Sequence, residues 1–579
     1  MLTATRGLCI ASLKAPGRAG EKRWVRTMRL VAVNRRFTRI SHHIATVCVA
    51  LCAAGLAIVT AYSVLHFNMT ADTWELLRWY AAAWLVFVLA LVGLWFVPLR
   101  AAVLLIIAGS IALGVVSLLQ PPRTSSDAAR YVWDGIVQHS GTSPYEYAPA
   151  DPALKSLHTD WLFPAPRTRA DGSNPECPGW EPHPVWQGHT LLCTAINRPE
   201  VTTIYPGAAE GYFAAVAFLT PDSAQYLPMQ IMGLLLVTGV TVLLLWALRR
   251  NGLNPRWAAL WAWCPLVASE AVNNAHVDAL GALLALVAVL LIAGRRQFSG
   301  GVALGLAIAV KLLPAVLLPA LIRRRPFRLL VGVLGAFAAA YLPYVVVSGS
   351  KVIGYLPGYL HEEGYRDDQG SRFALLRLII PQDWAQIAGL AVLAVTALLV
   401  LWRVNSDRPW TAAAAMFGVA LLAATPAYSW YALLLIPLAA LARRPEWLAV
   451  AAASAGVYLS GLLTVDVSGW GSSLVVTQLS YGAAALLVGV GAAVRLWLGR
   501  AATPSRVTAL EMPEVRETVL PQERERVCGT DAVLAVQHGG LLSAKRRNQL
   551  GYTLLGMSVL AVGVLALRRR HLRRRRLCR

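Results

Sequence analysis

Charge is what this sequence has least of: only 14% of its 579 residues are Asp, Glu, Lys or Arg, against roughly 25% in soluble domains. So little charge cannot coat a water-facing surface when 57% of the chain is hydrophobic, which excludes a soluble globular protein. Acids are scarcer than bases, 30 against 53. The formal charge of +23 would fit a nucleic-acid partner only if the bases shared one face, and they sit instead at the ends of apolar runs. No nucleic-acid partner is expected. Cysteine is sparse as well. Cys48, Cys52 and Cys264 fall in apolar runs and Cys9, Cys528 and Cys578 near the termini, so only Cys177 and Cys193 share a polar loop. They form a disulfide if that loop faces an oxidising compartment and stay two free thiols otherwise. No internal repeat at a fixed period is visible.

What the chain has in abundance is apolar runs near the 17 to 25 residues that cross about 30 Å of hydrocarbon as helix. They lie near residues 44–66, 77–97, 100–118, 226–248, 257–272, 277–294, 329–348, 385–402, 446–464 and 476–498. With two broken runs described below, the expected total is about eleven to thirteen spans. Residues 1–43 hold ten Lys or Arg and one acid, Glu21, which places the N-terminus in the cytoplasm. The first apolar run starts near Ile44 and is long enough to remain as an anchor, so no cleavable signal is expected. The fold class is therefore an all-α polytopic membrane protein: a basic cytoplasmic segment 1–43, a membrane domain 44–499 with a large external loop 119–225, and a cytoplasmic linker and Arg-rich tail 500–579. The tail holds one short apolar segment, Tyr552 to Leu567, which would export eight arginines among the last twelve residues if it crossed. It is expected to lie in the interface or to turn back as a hairpin.

Two runs break the alternation of sides. Gly300 to Ile322 has Arg295 and Arg296 before it and Arg323 to Arg325 after it, so both ends belong on the arginine side, and Pro314 interrupts it beside Lys311. A re-entrant pair of half-helices satisfies both facts. Ala412 to Leu441, broken at Thr425-Pro426-Ala427-Tyr428-Ser429-Trp430, reads as two short helices meeting near the outer face. The external loop contains Trp133, Trp161, Trp180 and Trp186, aromatics that argue for order.

Chemistry has few places to sit. After the third span comes Ser126-Asp127-Ala128-Ala129-Arg130-Tyr131-Val132-Trp133-Asp134. Asp127, among aromatics at the outer surface, suits a general base acting on a sugar hydroxyl; the alternatives are a helix cap or a pair with Arg130. His276 and Asp278 read either as two metal ligands or as part of a polar cluster lining a cavity with Asn273 and Asn274. Lys311 carries a cation at membrane depth, costing about 2.5 to 3.5 kcal/mol on insertion scales, and either reaches a lipid phosphate or pairs with Asp278. Arg372 grips the same phosphate or forms a surface pair with Asp367 and Asp368. Trp430 and Tyr431 stack on sugar or isoprenoid, or belong to an interfacial aromatic belt. Asn68-Met69-Thr70 matches a glycosylation acceptor.

An Asp opening the first large external loop, Gly141-Thr142-Ser143-Pro144-Tyr145, and Thr203-Ile204-Tyr205-Pro206 before the next helix together resemble the GT-C superfamily of membrane glycosyltransferases. The likeness is nearest to actinobacterial polyprenol-phosphate-mannose-dependent mannosyltransferases. Glu270 to Leu280, Ala309 to Pro314, Gly370 to Phe373 and Pro426 to Tyr431 extend it over roughly residues 40 to 500. The resemblance implies a GT-C-like helical bundle with Asp127 as the catalytic carboxylate, although Ser126 stands where many relatives carry a second acid. It implies a sugar, mannose expected, moved with inversion from a polyprenyl-phosphate donor to a lipid or glycan acceptor on the external face of the cell membrane, with no metal or cofactor. Arg130, Asp134, Tyr205, His276 and Asp278 are candidate substrate contacts, as are Lys311, Arg372, Trp430 and Tyr431. The rival readings are a lipid or sugar-lipid transporter, for which broken helices and an intramembrane lysine are equally natural, and a noncatalytic member of an envelope complex.

Overall fold

The computed structural model describes residues 18–68, 73–168, 175–179, 182–362, 371–462 and 473–501. The glycosylation tripeptide beyond Asn68, Trp180, Asp367, Asp368, Gly370 and the tail from 502 onward lie outside the described residues, as do the terminal cysteines.

Helices dominate, in the order α1 (Arg18–His66), α2 (Thr73–Leu94), α3 (Leu99–Ser117), α4 (Asp127–His139), α5 (Gly207–Phe218) and α6 (Leu227–Arg250), with a hairpin of β1 (His183–Gln187) and β2 (Thr190–Thr194) between α4 and α5. There follow α7 (Ala259–Ala262), α8 (Asp278–Ala293), α9 (Gln297–Val310), α10 (Leu318–Leu321), α11 (Pro326–Ser348) and α12 (Leu356–Leu360). The chain continues through α13 (Gln382–Arg403), α14 (Trp410–Ala424), α15 (Leu435–Ala442), α16 (Leu448–Leu462) and α17 (Leu474–Ala501).

Among the described residues seven helices are long and apolar enough to cross a membrane, or eight if the pair Val267–Asn273 and Asp278–Ala293, bent by 110°, is one broken span. This is a multi-pass membrane protein. The total falls short of the eleven to thirteen expected because hydropathy counts apolar runs, whereas α9, α14 and the 429–442 helix are interrupted and too short to span. Many of the large hydrophobic side chains left exposed lie on the long helices, Leu334 and Val346 of α11 and Ile387 and Leu398 of α13 among them. Polar groups are turned inward and paired, as where Ser110 of α3 meets Thr241 of α6 at 3.2 Å.

Both broken runs turn back on themselves. Asp407 receives Arg324 at 2.9 Å and Arg295 at 3.8 Å, so the two ends of the run from Gly300 to Ile322 meet at one place. The break falls at Lys311, whose backbone is extended at φ −157° and ψ 137°; Pro314 opens the short 3-10 turn that follows. The second run bends at Thr425, left-handed at φ 42°. Close packing holds the first device in place: a Cβ on Gly301 or Gly305 of α9 would lie 2.3 Å from the carbonyl oxygens of Leu329 and Val333 on α11. Small residues let helices approach where burial against lipid supplies no driving force.

The loop 119–225, polar apart from the short apolar piece Gly211 to Leu219, is a folded cap. Its apolar piece is α5, which packs against α4 so tightly that a Cβ on Gly135 would meet the Phe213 carbonyl at 2.7 Å. Tyr131 of α4 stacks on Phe213 of α5 at 4.6 Å. A Cys177–Cys193 disulfide ties β2 of the hairpin to the segment that precedes it.

Candidate functional site

The site is built where α3 gives way to α4. The segment between them has no regular ladder, so its backbone groups need other partners, and two adjacent amides supply them. Asn273 accepts from Arg123 N at 3.0 Å and donates to Ser117 O at 3.0 Å. Asn274 accepts from Thr124 N at 3.2 Å and donates to Thr124 Oγ1 at 2.6 Å. The two asparagines, expected to line the cavity, instead pin the segment that delivers Asp127. Tyr458 adds a hydrogen bond to Thr124 O at 2.5 Å.

Asp127 is the first residue of α4, at the helix end where a carboxylate is favoured. Its side chain is 16% exposed and lies in the wall of a cavity of about 1230 Å³. Asn197 Nδ2 donates to Asp127 Oδ1 at 2.6 Å. On the other oxygen, His276 Nδ1 lies 3.6 Å away, with Tyr131 Oη 3.4 Å from the same nitrogen. The buried imidazole stacks on Trp430 at 4.0 Å, and its Nε2 sits 3.2 Å from Glu270 Oε2, within ion-pair reach but misaligned for a hydrogen bond. Glu270 itself accepts from Ser429 Oγ at 2.9 Å and Asn274 Nδ2 at 2.8 Å.

Cations approach the same cavity from other elements. Lys311, in the break after α9, donates to both oxygens of Asp278 at 2.9 and 2.8 Å and lies 4.4 Å from the ring centre of Tyr431. Arg198 reaches Glu362 at 2.5 Å, and Arg372 also lines the wall. Deeper in, the lining turns apolar with Leu313, Val316, Phe337 and Leu393. Leu390 belongs to this wall and is 61% exposed.

Of the candidates named from sequence, Asp127, Tyr205, Lys311, Arg372, Trp430 and Tyr431 line this one cavity. His276 and Asp278 stand behind it and face different partners, Glu270 and Lys311. Arg130 and Asp134 do not reach it. Arg130 Nε donates to Asp134 Oδ1 at 2.9 Å and Nη1 to Val201 O at 3.1 Å, so both are spent holding α4 to the loop. They join a buried network in which Glu210 accepts from Gln138 at 2.9 Å and Thr203 at 2.6 Å. Burial pushes the Glu210 carboxyl well above the ordinary carboxylate range, with neighbouring Asp134 adding to it. Burial also raises Asp134, against the pull of Arg130.

Sequence reasoning passed over Asn197, Arg198 and Glu270. For Glu270 a signal was available: an acid inside an apolar run invites the argument applied to Lys311. For Asn197 there was none, since a contact across 70 residues leaves no local trace. Backbone strain marks the same place. Arg198, Ala275, Phe373 and Thr425 are non-glycine residues with left-handed φ of 42° to 55°, each lining the cavity or adjoining a residue named above. Such strain persists where surrounding structure enforces it.

Residues 211–426 match the model for Glycosyltransferase family 87. The matched stretch holds Glu270, His276, Asp278, Lys311 and Arg372; Asp127 and Asn197 precede it. No curated protein and no solved structure matches the chain.

Proposed function

We propose that this protein is a glycosyltransferase that moves a sugar, mannose in the first instance, from a polyprenyl-phosphate donor to a hydroxyl of a lipid or glycan acceptor, with Asp127 as general base. The observation that carries the reading is one cavity whose wall combines two carboxylates, Asp127 and Glu362, three cations, Arg198, Lys311 and Arg372, and a long apolar stretch. At about 1230 Å³ it exceeds the roughly 300 to 1,000 Å³ usual for small-ligand pockets, which suits a lipid-linked sugar. The apolar stretch takes the isoprenoid, entering past Leu390.

In the reaction Asp127 accepts the acceptor's hydroxyl proton while that oxygen bonds the anomeric carbon and the bond from that carbon to the phosphate oxygen breaks. Displacement from the opposite side inverts the anomeric centre. The leaving group is a phosphate, already an anion of low basicity, so it departs without an acid. Arg372 offers a planar donor fork to its developing charge and Lys311 a point charge. The acceptor enters from the external side, beside Asn197 and Arg198, if the N-terminus is cytoplasmic.

The test incubates membranes containing the protein with labelled polyprenyl-phosphate mannose and candidate acceptor lipids. Label should pass to the acceptor with inverted configuration. Asp127→Asn should bind donor and lose transfer by roughly 10² to 10⁴, whereas Asp134→Asn should act through protein stability. Movement of intact donor between leaflets without transfer would establish the transporter in place of the enzyme.

A further inference from the structure

A base that has taken one proton cannot take the next. Asp127 must shed the acceptor's proton before each new cycle, and the cavity beside it is then filled by product. Resting on the reading of Asp127 as the base, the arrangement behind it supplies a place for that proton.

His276 lies between two carboxylates, Nδ1 3.6 Å from Asp127 Oδ2 and Nε2 3.2 Å from Glu270 Oε2. Its side chain is fully buried and lines neither the large cavity nor the second one, of about 50 Å³, onto which Glu270 backs. Glu270 accepts hydrogen bonds from Ser429 and from Asn274. With Nε2 on the side of Glu270, Nδ1 is the ring nitrogen turned toward Asp127, and the Tyr131 hydroxyl lies 3.4 Å from it. The ring lies nearly parallel to Trp430 at 4.0 Å, which sets its plane. Distances slightly beyond hydrogen-bond range are ordinary before substrate closes such a site.

We propose that His276 receives the proton that Asp127 takes from the acceptor, and that Glu270 is the positioning residue that orients the imidazole and offsets its charge. The acceptor O–H proton moves to Asp127 as the glycosidic bond forms. It then moves from Asp127 to the Nδ1 lone pair, giving an imidazolium between two carboxylates and restoring the Asp127 anion. When product leaves and water enters, the proton returns through Nδ1 and Asp127 to that water, which becomes hydronium. No oxidant or metal enters, and the Nε2 proton stays in place throughout.

The experiment measures transfer from polyprenyl-phosphate mannose in single and multiple turnovers, in mixtures of light and heavy water, for the parent, His276→Gln, Glu270→Gln and Glu270→Asp. kcat should fall about 10- to 100-fold in His276→Gln and Glu270→Gln, with the donor KM changed less than about twofold. The parent should show a curved dependence on deuterium fraction, from two protons in motion, and His276→Gln a linear one. Glu270→Asp, which keeps the charge, should recover part of the loss and serves if His276→Gln fails to fold. Raised KM with unchanged kcat would make His276 a substrate contact and overturn the relay. So would deuterium profiles identical in parent and variants. Normal turnover by Asp127→Asn would instead sink the underlying reading of the base.

Discussion

Asn197 fixes Asp127: its amide donates to one carboxylate oxygen at 2.6 Å from a loop position 70 residues further along the chain. The bond leaves the second oxygen turned toward His276 and sets the rotamer in which the carboxylate meets the cavity. Asn197→Ala removes the donor without adding charge. The carboxylate then samples other rotamers, so kcat should fall about 10-fold while donor KM stays near the parent value, since misplacement of a reacting group by about 1 Å can cost up to 10² in rate. Steady-state kinetics decide it; an unchanged kcat would mean that His276 and the helix end suffice to hold Asp127.

Lys311 presents a second pair whose two roles can be separated. It is bonded to both oxygens of Asp278, and the side chains are 22% and 7% exposed. Lys311→Met leaves an uncompensated carboxylate at membrane depth, which should cost roughly 3 kcal/mol, toward the low end for a broken buried pair because the lysine is partly exposed. Thermal unfolding in detergent should show the loss, and adding Asp278→Asn should recover most of it. Donor KM in the stable double variant then reads the phosphate role alone. It should be raised, and a parent-like value would confine Lys311 to structure.

The hairpin makes the disulfide relevant to the site. Cys193 lies on β2, a few residues before Asn197, and its partner Cys177 closes a separation of 16 residues. A cross-link of that span stabilises by about 3 kcal/mol in the chain-entropy account. Cys177→Ser with Cys193→Ser should therefore raise amide exchange across 183–194 and lower kcat as Asn197 loses its seat. Two freely alkylated thiols in exported parent protein would remove the bridge from the argument.

Much of the membrane architecture was legible in the sequence because hydrophobic length and arginine placement are local properties. The turn-back of the 300–322 run followed from arginines at both its ends, and Asp407 gathers those ends. Helix interruption follows Pro314: α9 ends at Val310, the residue whose carbonyl a proline at 314 can neither bond nor clear. At the site, Asp127, Lys311 and Arg372 were legible as charges in unusual settings. Arg130 and Asp134 looked equally suitable, yet their i, i+4 spacing on α4 turns them toward each other and away from the cavity. The Asn273 and Asn274 contacts, 150 residues from their partners, depend on the fold alone.

Glu210 carries a pH dependence whose sign follows from its surroundings. It is fully buried, held by Gln138 and Thr203, and its carboxyl is pushed well above the usual range by burial and by Asp134. In the unfolded chain a glutamate gives up its proton near pH 4.3, whereas the folded protein keeps it to higher pH. Folding therefore takes up a proton between those two points. Stability is fully present below the unfolded value and declines as pH rises toward the folded one, by up to about 1.4 kcal/mol per pH unit for a single group. Glu210→Gln retains an uncharged side chain whose one oxygen can accept from Gln138 while its amide donates to the Thr203 hydroxyl, and it has no proton to lose. The melting temperature of the parent in detergent should drop between pH 5 and 8 more steeply than that of Glu210→Gln, with the two converging at the acidic end. Parallel curves would mean that Glu210 is ionised in the fold, balanced by Arg130, and that the buried network holds two carboxylates and no proton.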